Sequence, residues 1–235
     1  MTRHVRTALF AYPGKAAFGR VVPKAKLYEH GTAGARLKGL FAEQVEQIVW
    51  QYKLAPETTN LSASPGAPEI QVFSVRLRAS ELHHDILRCI DKAIPFPLLF
   101  ELHYEDRLQV VACYKRPSEA EASRWVCSDY FATDWIAAES PRAALPVALN
   151  LGGLYEQLLH ALIPLSPRAN ESLSDLTKRV DKVRALRKEM DKAFSRLATE
   201  RQFNRKVEIN AGLRQLKAQL DELEQSWITS PRSWN

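Results

Sequence analysis

Glu101 and Lys115 are the residues whose types and placing come nearest to a catalytic pair. Many DNA-cutting nucleases set an acid and an E-x-K pair on adjacent strands. The carboxylates hold Mg²⁺ and the lysine polarises the attacked phosphate. The segment PLLFELHYEDRLQVVACYK (97–115) reads as two strands joined by a tight turn at Glu105–Arg107, which puts Glu101 and Lys115 on neighbouring strands. Glu43 or Glu46 from an earlier helix would complete a degenerate site. The residue two before Lys115 is Cys113, however, and a thiol does not replace a hard oxygen ligand. Strand alternation accounts for Glu101 and Lys115 equally well as solvent-face residues. A divergent metal-dependent nuclease is therefore the second expectation, and no catalytic residue is assigned in the first.

Other chemistries find less. His83 and His84 are adjacent, so they point to different parts of a helix surface and cannot chelate together. Cys89, Cys113 and Cys127 are odd in number and widely spaced, as expected of buried thiols in a reducing compartment, and no Cys or His stands at zinc spacing. Gly152–Gly153 lacks the lysine and Ser/Thr of a phosphate loop, and no G-x-S-x-G is present. No cofactor and no metal site is expected.

Charge says more. Net charge is +6, but residues 1–40 carry +7, residues 41–170 carry −5 and residues 171–235 carry +4; within the last block, 178–206 alone carries +7. A mildly acidic body thus separates two basic stretches. Arg3, Arg6, Lys15, Arg20, Lys24, Lys26, Arg36 and Lys38 are interleaved with Phe10, Tyr12, Phe18 and Tyr28. Basic side chains track phosphates and aromatic rings stack on bases. The candidates for nucleic-acid contact are Arg20, Lys24, Lys26, Lys92, Lys115, Arg201, Arg205 and Lys206. The plain alternative is a set of solvated helix faces, with the aromatics pinning the N-terminal segment to the body.

The elements that must position these residues follow from pattern. The 235 residues suit one domain of about 150 plus an appendage. Residues 1–34, rich in Gly and Pro, read as short extended pieces and turns. From Ala35, the spacing of Leu37, Leu40, Phe41, Val45, Ile48, Val49 and Tyr52 predicts a helix to about Leu54, stopped by Pro56. EIQVFSVRL (69–77) predicts a strand, Ser80 an N-cap for a helix over 81–93, RWVCSDYF (124–131) a strand and 143–163 a helix. This is an α+β body, 1–168, with a mixed or antiparallel sheet covered by helices. The arm, 169–235, is a helical hairpin or a coiled coil. Its first seam runs Leu173, Leu176, Val180, Val183, Met190, Phe194, Leu197, and its second Ile209, Leu213, Leu216, Leu220, Leu223, Trp227. The two are out of phase by an offset that no single stutter gives. Either a hairpin turning near Arg201–Asn204 or one kinked helix satisfies them.

Several strings together resemble a prokaryotic family, domain of unknown function 4391. They are VPKAKLYEH (22–30), EQVEQIVWQYKLAPETTNL (43–61), EIQVFSVRL (69–77), IDKAIPFPLLFEL (90–102), ACYKR (112–116) and ERQFNRKVEIN (200–210). The likeness covers nearly the whole chain, including the arm. Its polar residues here are Lys24, Lys53, Asn60, Asp91, Lys92, Lys115, Gln202, Asn204, Lys206 and Asn210. The resemblance implies a gene context beside helicases and DNA methyltransferases in restriction-like or phage-defence clusters. The first expectation is accordingly a non-catalytic accessory or adaptor subunit of a DNA-acting system. It is expected to be cytoplasmic, without a membrane segment. It would bind a helicase or DNA methyltransferase, with DNA as a further partner and self-association through the arm.

Overall fold

The computed structural model describes residues 8–225 except 119, 122 and 123. Arg3, Arg6 and Trp227 lie outside the described residues. The chain divides into two compact units between Ile163 and Pro164.

The first unit is built on a mixed sheet of seven strands. Its elements in chain order are β1 (Phe10–Ala11), β2 (Ala17–Val21), α1 (Lys24–Gly31), α2 (Ala35–Gln44), β3 (Val45–Leu54), α3 (Pro56–Thr59), β4 (Ile70–Leu77), α4 (His84–Ala93), β5 (Leu98–Tyr104), β6 (Arg107–Pro117), β7 (Trp125–Ala132), β8 (Ile136–Ala137), β9 (Ala143–Ala144) and α5 (Leu151–Leu162). The main sheet runs β2-β3-β4-β5-β6-β7, with β8 also on β6. Among the described residues only β4 and β5 pair in parallel within it, and α4 supplies the crossover that a parallel pair needs. β1 and β9 form a separate parallel pair.

Alternation along the central strands divides the core. Phe73, Val75, Leu98, Phe100, Leu102, Val111 and Cys113 turn to one face, where they pack with Leu27 of α1, Phe41 of α2 and Ile86, Leu87 and Ile90 of α4. Ile70, Val72, Leu99, Val110 and Ala112 alternate with them and are also buried, so the middle of the sheet is covered on both sides.

Four expectations are corrected. The helix from Ala35 stops at Gln44, and Val45–Leu54 is a ten-residue strand. Irregularities in the β3–β4 register between Val45 and Gln47 and between Trp50 and Tyr52 break the two-residue alternation and leave apolar residues at helix-like spacings. Lys24–Gly31 forms a helix inside the segment expected to be extended; it begins after Pro23 and ends at Thr32, which is left-handed at φ 58°. α4 begins three residues later than expected, at His84, with His83 Nδ1 accepting from the Asp85 N–H at 3.2 Å in place of Ser80. α5 begins at Leu151, after Pro146, with Asn150 Oδ1 accepting from the Gly153 N–H at 2.9 Å. The strands at 70–77, 98–117 and 125–132 stand where the pattern places them.

The second unit holds α6 (Leu173–Thr199) and α7 (Phe203–Glu224) as a helical hairpin. The turn falls where the two seams lose phase. Glu200 Oε1 accepts from the Arg201 and Gln202 N–H groups, each at 2.8 Å. The open end is locked by two arginines. Arg179 donates through both sides of its guanidinium to Glu171, at 2.7 Å each, and also to the carbonyls of Ser166 and Leu223. Arg168 reaches the carbonyls of Glu222, Leu223 and Gln225. These are the carbonyls that a helix end leaves without partners, and positive charge there opposes the helix dipole.

Candidate functional site

Glu101 and Lys115 do not meet. Glu101 lies opposite Val110 in the β5–β6 ladder, so it shares a face with Val110 and Ala112, whereas Lys115 shares the other face with Val111 and Cys113. Five residues also separate Val110 from Lys115, roughly 17 Å at about 3.4 Å per residue. Neither is on a solvent face: Glu101 is 3% exposed and Lys115 1%.

Each is held in its own network. Arg142, just before β9, grips Glu101 with two parallel bonds of 2.7 and 2.8 Å and also donates to the Phe10 carbonyl at 2.9 Å. The Glu101 partner raises the Arg142 guanidinium further. Lys115 lies under the end of α4. Its ammonium donates to the carbonyls of Asp91 and Ile94 and sits 3.3 Å from Asp91 Oδ1. Its backbone N–H donates to the Tyr155 hydroxyl at 3.0 Å, and that hydroxyl donates to the Cys113 carbonyl at 2.7 Å.

Lys24 has the same employment as Lys115. It donates to the carbonyls of Phe41 and Val45 and closes the end of α2. Burial lowers its ammonium pKa first, helped by Arg78. Of the other candidates on the body, Arg20 and Lys26 are exposed, with the Arg20 guanidinium 4.7 Å over the Phe18 ring. Lys92 is exposed and donates to Thr32 Oγ1 at 3.0 Å.

Arg201, Arg205 and Lys206 are all exposed, and the fold brings them to one place, the tip of the hairpin. Phe194, Phe203 and Val207 stand there too, exposed by 53%, 77% and 48%. Residues 192–208 carry a net charge of +3. The Glu200 carboxyl registers that charge: bonds from the Gln202 and Arg201 N–H groups hold it below its usual value, and Arg205 and Lys206 add to the effect.

Pattern reading missed a second cluster. Asp91, Cys113 and Cys127 present one ligand atom each, all within 4.8 Å of one another. Cys113 Sγ is 3.6 Å from Asp91 Oδ2, to which the Tyr130 hydroxyl also donates. A hydrogen bond from the Cys113 thiol to the Cys127 sulfur raises the first and lowers the second. Burial raises the Asp91 carboxyl against the pull of Lys115. The three residues are far apart in sequence, so no spacing motif could have found them. The available signal was the presence of a carboxylate on the β4–β5 crossover helix and two thiols on the antiparallel strands β6 and β7.

Sheet and arm together define the class: an α+β body with a mixed sheet, carrying a helical hairpin whose tip is basic and apolar. The chain belongs to the family described as domain of unknown function 4391 (DUF4391), whose model matches residues 10–220. The match runs from β1 into α7, so the arm is part of the family's architecture. No curated protein and no solved structure matches the chain. Among the described residues no helix is long and apolar enough to cross a membrane.

Proposed function

We propose that this protein is a non-catalytic accessory subunit of a DNA-acting, restriction-like or phage-defence system in the cytoplasm. Its body docks a helicase or DNA methyltransferase encoded alongside it, and the arm's tip contacts DNA. One observation carries this reading: Arg201, Arg205 and Lys206 remain exposed at the tip beside Phe194, Phe203 and Val207, while Lys24 and Lys115 of the body are spent on helix ends. Exposed apolar side chains rimmed by charge suit a contact surface. Cations within one Debye length of each other act jointly on a polyanion. The nuclease alternative finds no support in a lysine and an acid on opposite faces, each already engaged.

The test is duplex binding by the full chain across a salt series, beside a variant carrying Arg201→Glu, Arg205→Glu and Lys206→Glu. Each lost phosphate contact removes about 0.9 from the slope of log K against log salt. A shallower slope in the variant, with the neighbouring helicase or methyltransferase co-purifying with the wild-type chain, is the expected result. Equal slopes, or a lone chain with no salt-sensitive binding, overturn it.

A further inference from the structure

We propose that Asp91, Cys113 and Cys127 form a binding site for a thiophilic divalent cation of the zinc class. The inference stands apart from the reading of the arm and rests on the body alone.

Three elements converge on the site: the last turn of α4 supplies Asp91, β6 supplies Cys113 and β7 supplies Cys127. A bulge makes the convergence possible. Cys113 pairs with Tyr130 and Lys115 with Cys127, so two steps along β6 are matched by three along β7. In an unbulged ladder Lys115 would face residue 128, and Cys127 would turn to the opposite side of the sheet. The extra residue brings Cys127 onto the face that already holds Cys113 and Asp91. Bulges are a usual means of re-aiming one side chain.

The spacing suits a tetrahedral ion. With metal–sulfur bonds of about 2.3 Å and metal–oxygen bonds of about 2.0 Å, neighbouring sulfur and oxygen ligands stand roughly 3.5 Å apart. Cys113 Sγ and Asp91 Oδ2 are 3.6 Å apart, and no pair in the set exceeds 4.8 Å. Two sulfurs select a borderline or soft ion over Mg²⁺ or Ca²⁺. Three protein ligands leave a fourth position for water. Cys127 is only partly buried, which gives the ion a way in.

Charge balances as well. Binding releases two thiol protons, so that M²⁺ plus two RSH gives M(SR)₂ plus two H⁺. Two thiolates, the Asp91 carboxylate, the Lys115 ammonium and the dication then sum to zero in a buried place. The outer partners are present: Lys115 on Oδ1 and Tyr130 on Oδ2 fix the carboxylate, as groups behind metal ligands do. Among the described residues, the other charged or titratable side chains near it include Tyr155, whose hydroxyl donates to the Cys113 carbonyl at 2.7 Å, Arg88, 4.5 Å over the Tyr130 ring, and His84, whose ring lies 5.3 Å from that of Tyr130.

The test uses the full chain, reduced, with Zn²⁺ or Co²⁺ alone as probe. One equivalent of Co²⁺ is expected to give tetrahedral ligand-field bands in the visible and thiolate-to-cobalt charge transfer in the near ultraviolet. One equivalent of Zn²⁺ is expected to protect Cys113 and Cys127 from alkylation in mildly denatured samples, with Cys89 as the unprotected control. Cys127→Ala, at the partly exposed position, should keep the far-ultraviolet spectrum. It should lose at least about a hundredfold in affinity, beyond the roughly 10–100-fold that loss of an outer partner brings. Uptake below one equivalent, absence of the charge-transfer band, or affinity unchanged in Cys127→Ala overturns the site.

Discussion

Arg179→Ala should open the arm from its base. The Arg179 side chain is 6% exposed and its partner Glu171 10%. The substitution removes two bonds to Glu171 and one each to the carbonyls of Ser166 and Leu223. It leaves the Glu171 carboxylate with the Arg168 N–H at 2.9 Å and little else. Breaking a buried ion pair from one side costs about 3–5 kcal/mol. The lock stands at the open end of the hairpin, where solvent screens it, so the lower end applies, about 3 kcal/mol. For a cooperative unit of this size, each kcal/mol moves the melting point by about 4–8 °C, so the arm should melt roughly 12–24 °C earlier. Circular dichroism of the full chain at 222 nm follows the loss, and hydrogen exchange assigns it to the last two turns of α7. Unchanged exchange over 217–224 with a melting shift below about 2 °C would refute a lock worth more than an exposed pair.

Three further outcomes follow from the same contacts. Gly31→Ala would drive a Cβ into Cys89 Sγ and to 2.7 Å from the Cys89 carbonyl, so α1 and α4 must part; the expected loss is about 1–3 kcal/mol. Faster maleimide labelling of Cys89 would accompany a lower melting point, and neither change would appear if the helices yield freely. Glu101→Gln leaves the Arg142 guanidinium, 32% exposed, without its anion, and should lower the urea midpoint by the equivalent of about 2 kcal/mol after allowing for that exposure; an unchanged midpoint would count against the pair. The bond from Arg179 holds the Glu171 carboxyl below its ordinary 4.5, with help from the Arg168 N–H. A depressed acid stabilises the fold above its unfolded value and loses that contribution as pH falls through the folded value. Arm helicity should therefore decline on acidification below about pH 4.5, and Arg179→Ala should lack that step.

How much of this was legible in the sequence depended on which physical signal each residue carried. Residues 70–77 and 98–113 are rich in β-branched and apolar residues around a tight turn, their ladders are regular, and those elements stand where expected. β3 carries a helical pattern in the sequence because its irregular pairing spaces Val45, Ile48, Val49 and Tyr52 as a helix would. α1 is two turns long, too short for its one buried leucine, Leu27, to declare a period. The arm's hairpin was one of two open choices, and the loss of phase at Arg201 marked its turn correctly. The candidate residues fared differently from the elements. Whether a lysine is a phosphate ligand or a helix cap depends on which carbonyls lie within reach, and periodicity carries no such information.

Lys24 and Lys115 make that dependence concrete. Both stand beside apolar strings, and charge counting treats them as equal to Arg201 or Lys206. In the fold, each adds a charged donor to carbonyls where a helix gives way to a strand, Lys24 to Phe41 and Val45 between α2 and β3 and Lys115 to Asp91 and Ile94 between α4 and β5. A charged donor makes the stronger hydrogen bond, and a long apolar stem lets the cation reach a half-buried carbonyl. α6 ends instead in a solvent-exposed turn, where Glu200 closes the corner from the acceptor side and no buried carbonyl calls for a cation. The basic residues around that turn are therefore left facing outward. Where a helix ends thus decides the role of a basic residue near it: Lys24, Lys115 and Arg179 become scaffold, and Arg201, Arg205 and Lys206 become exposed surface.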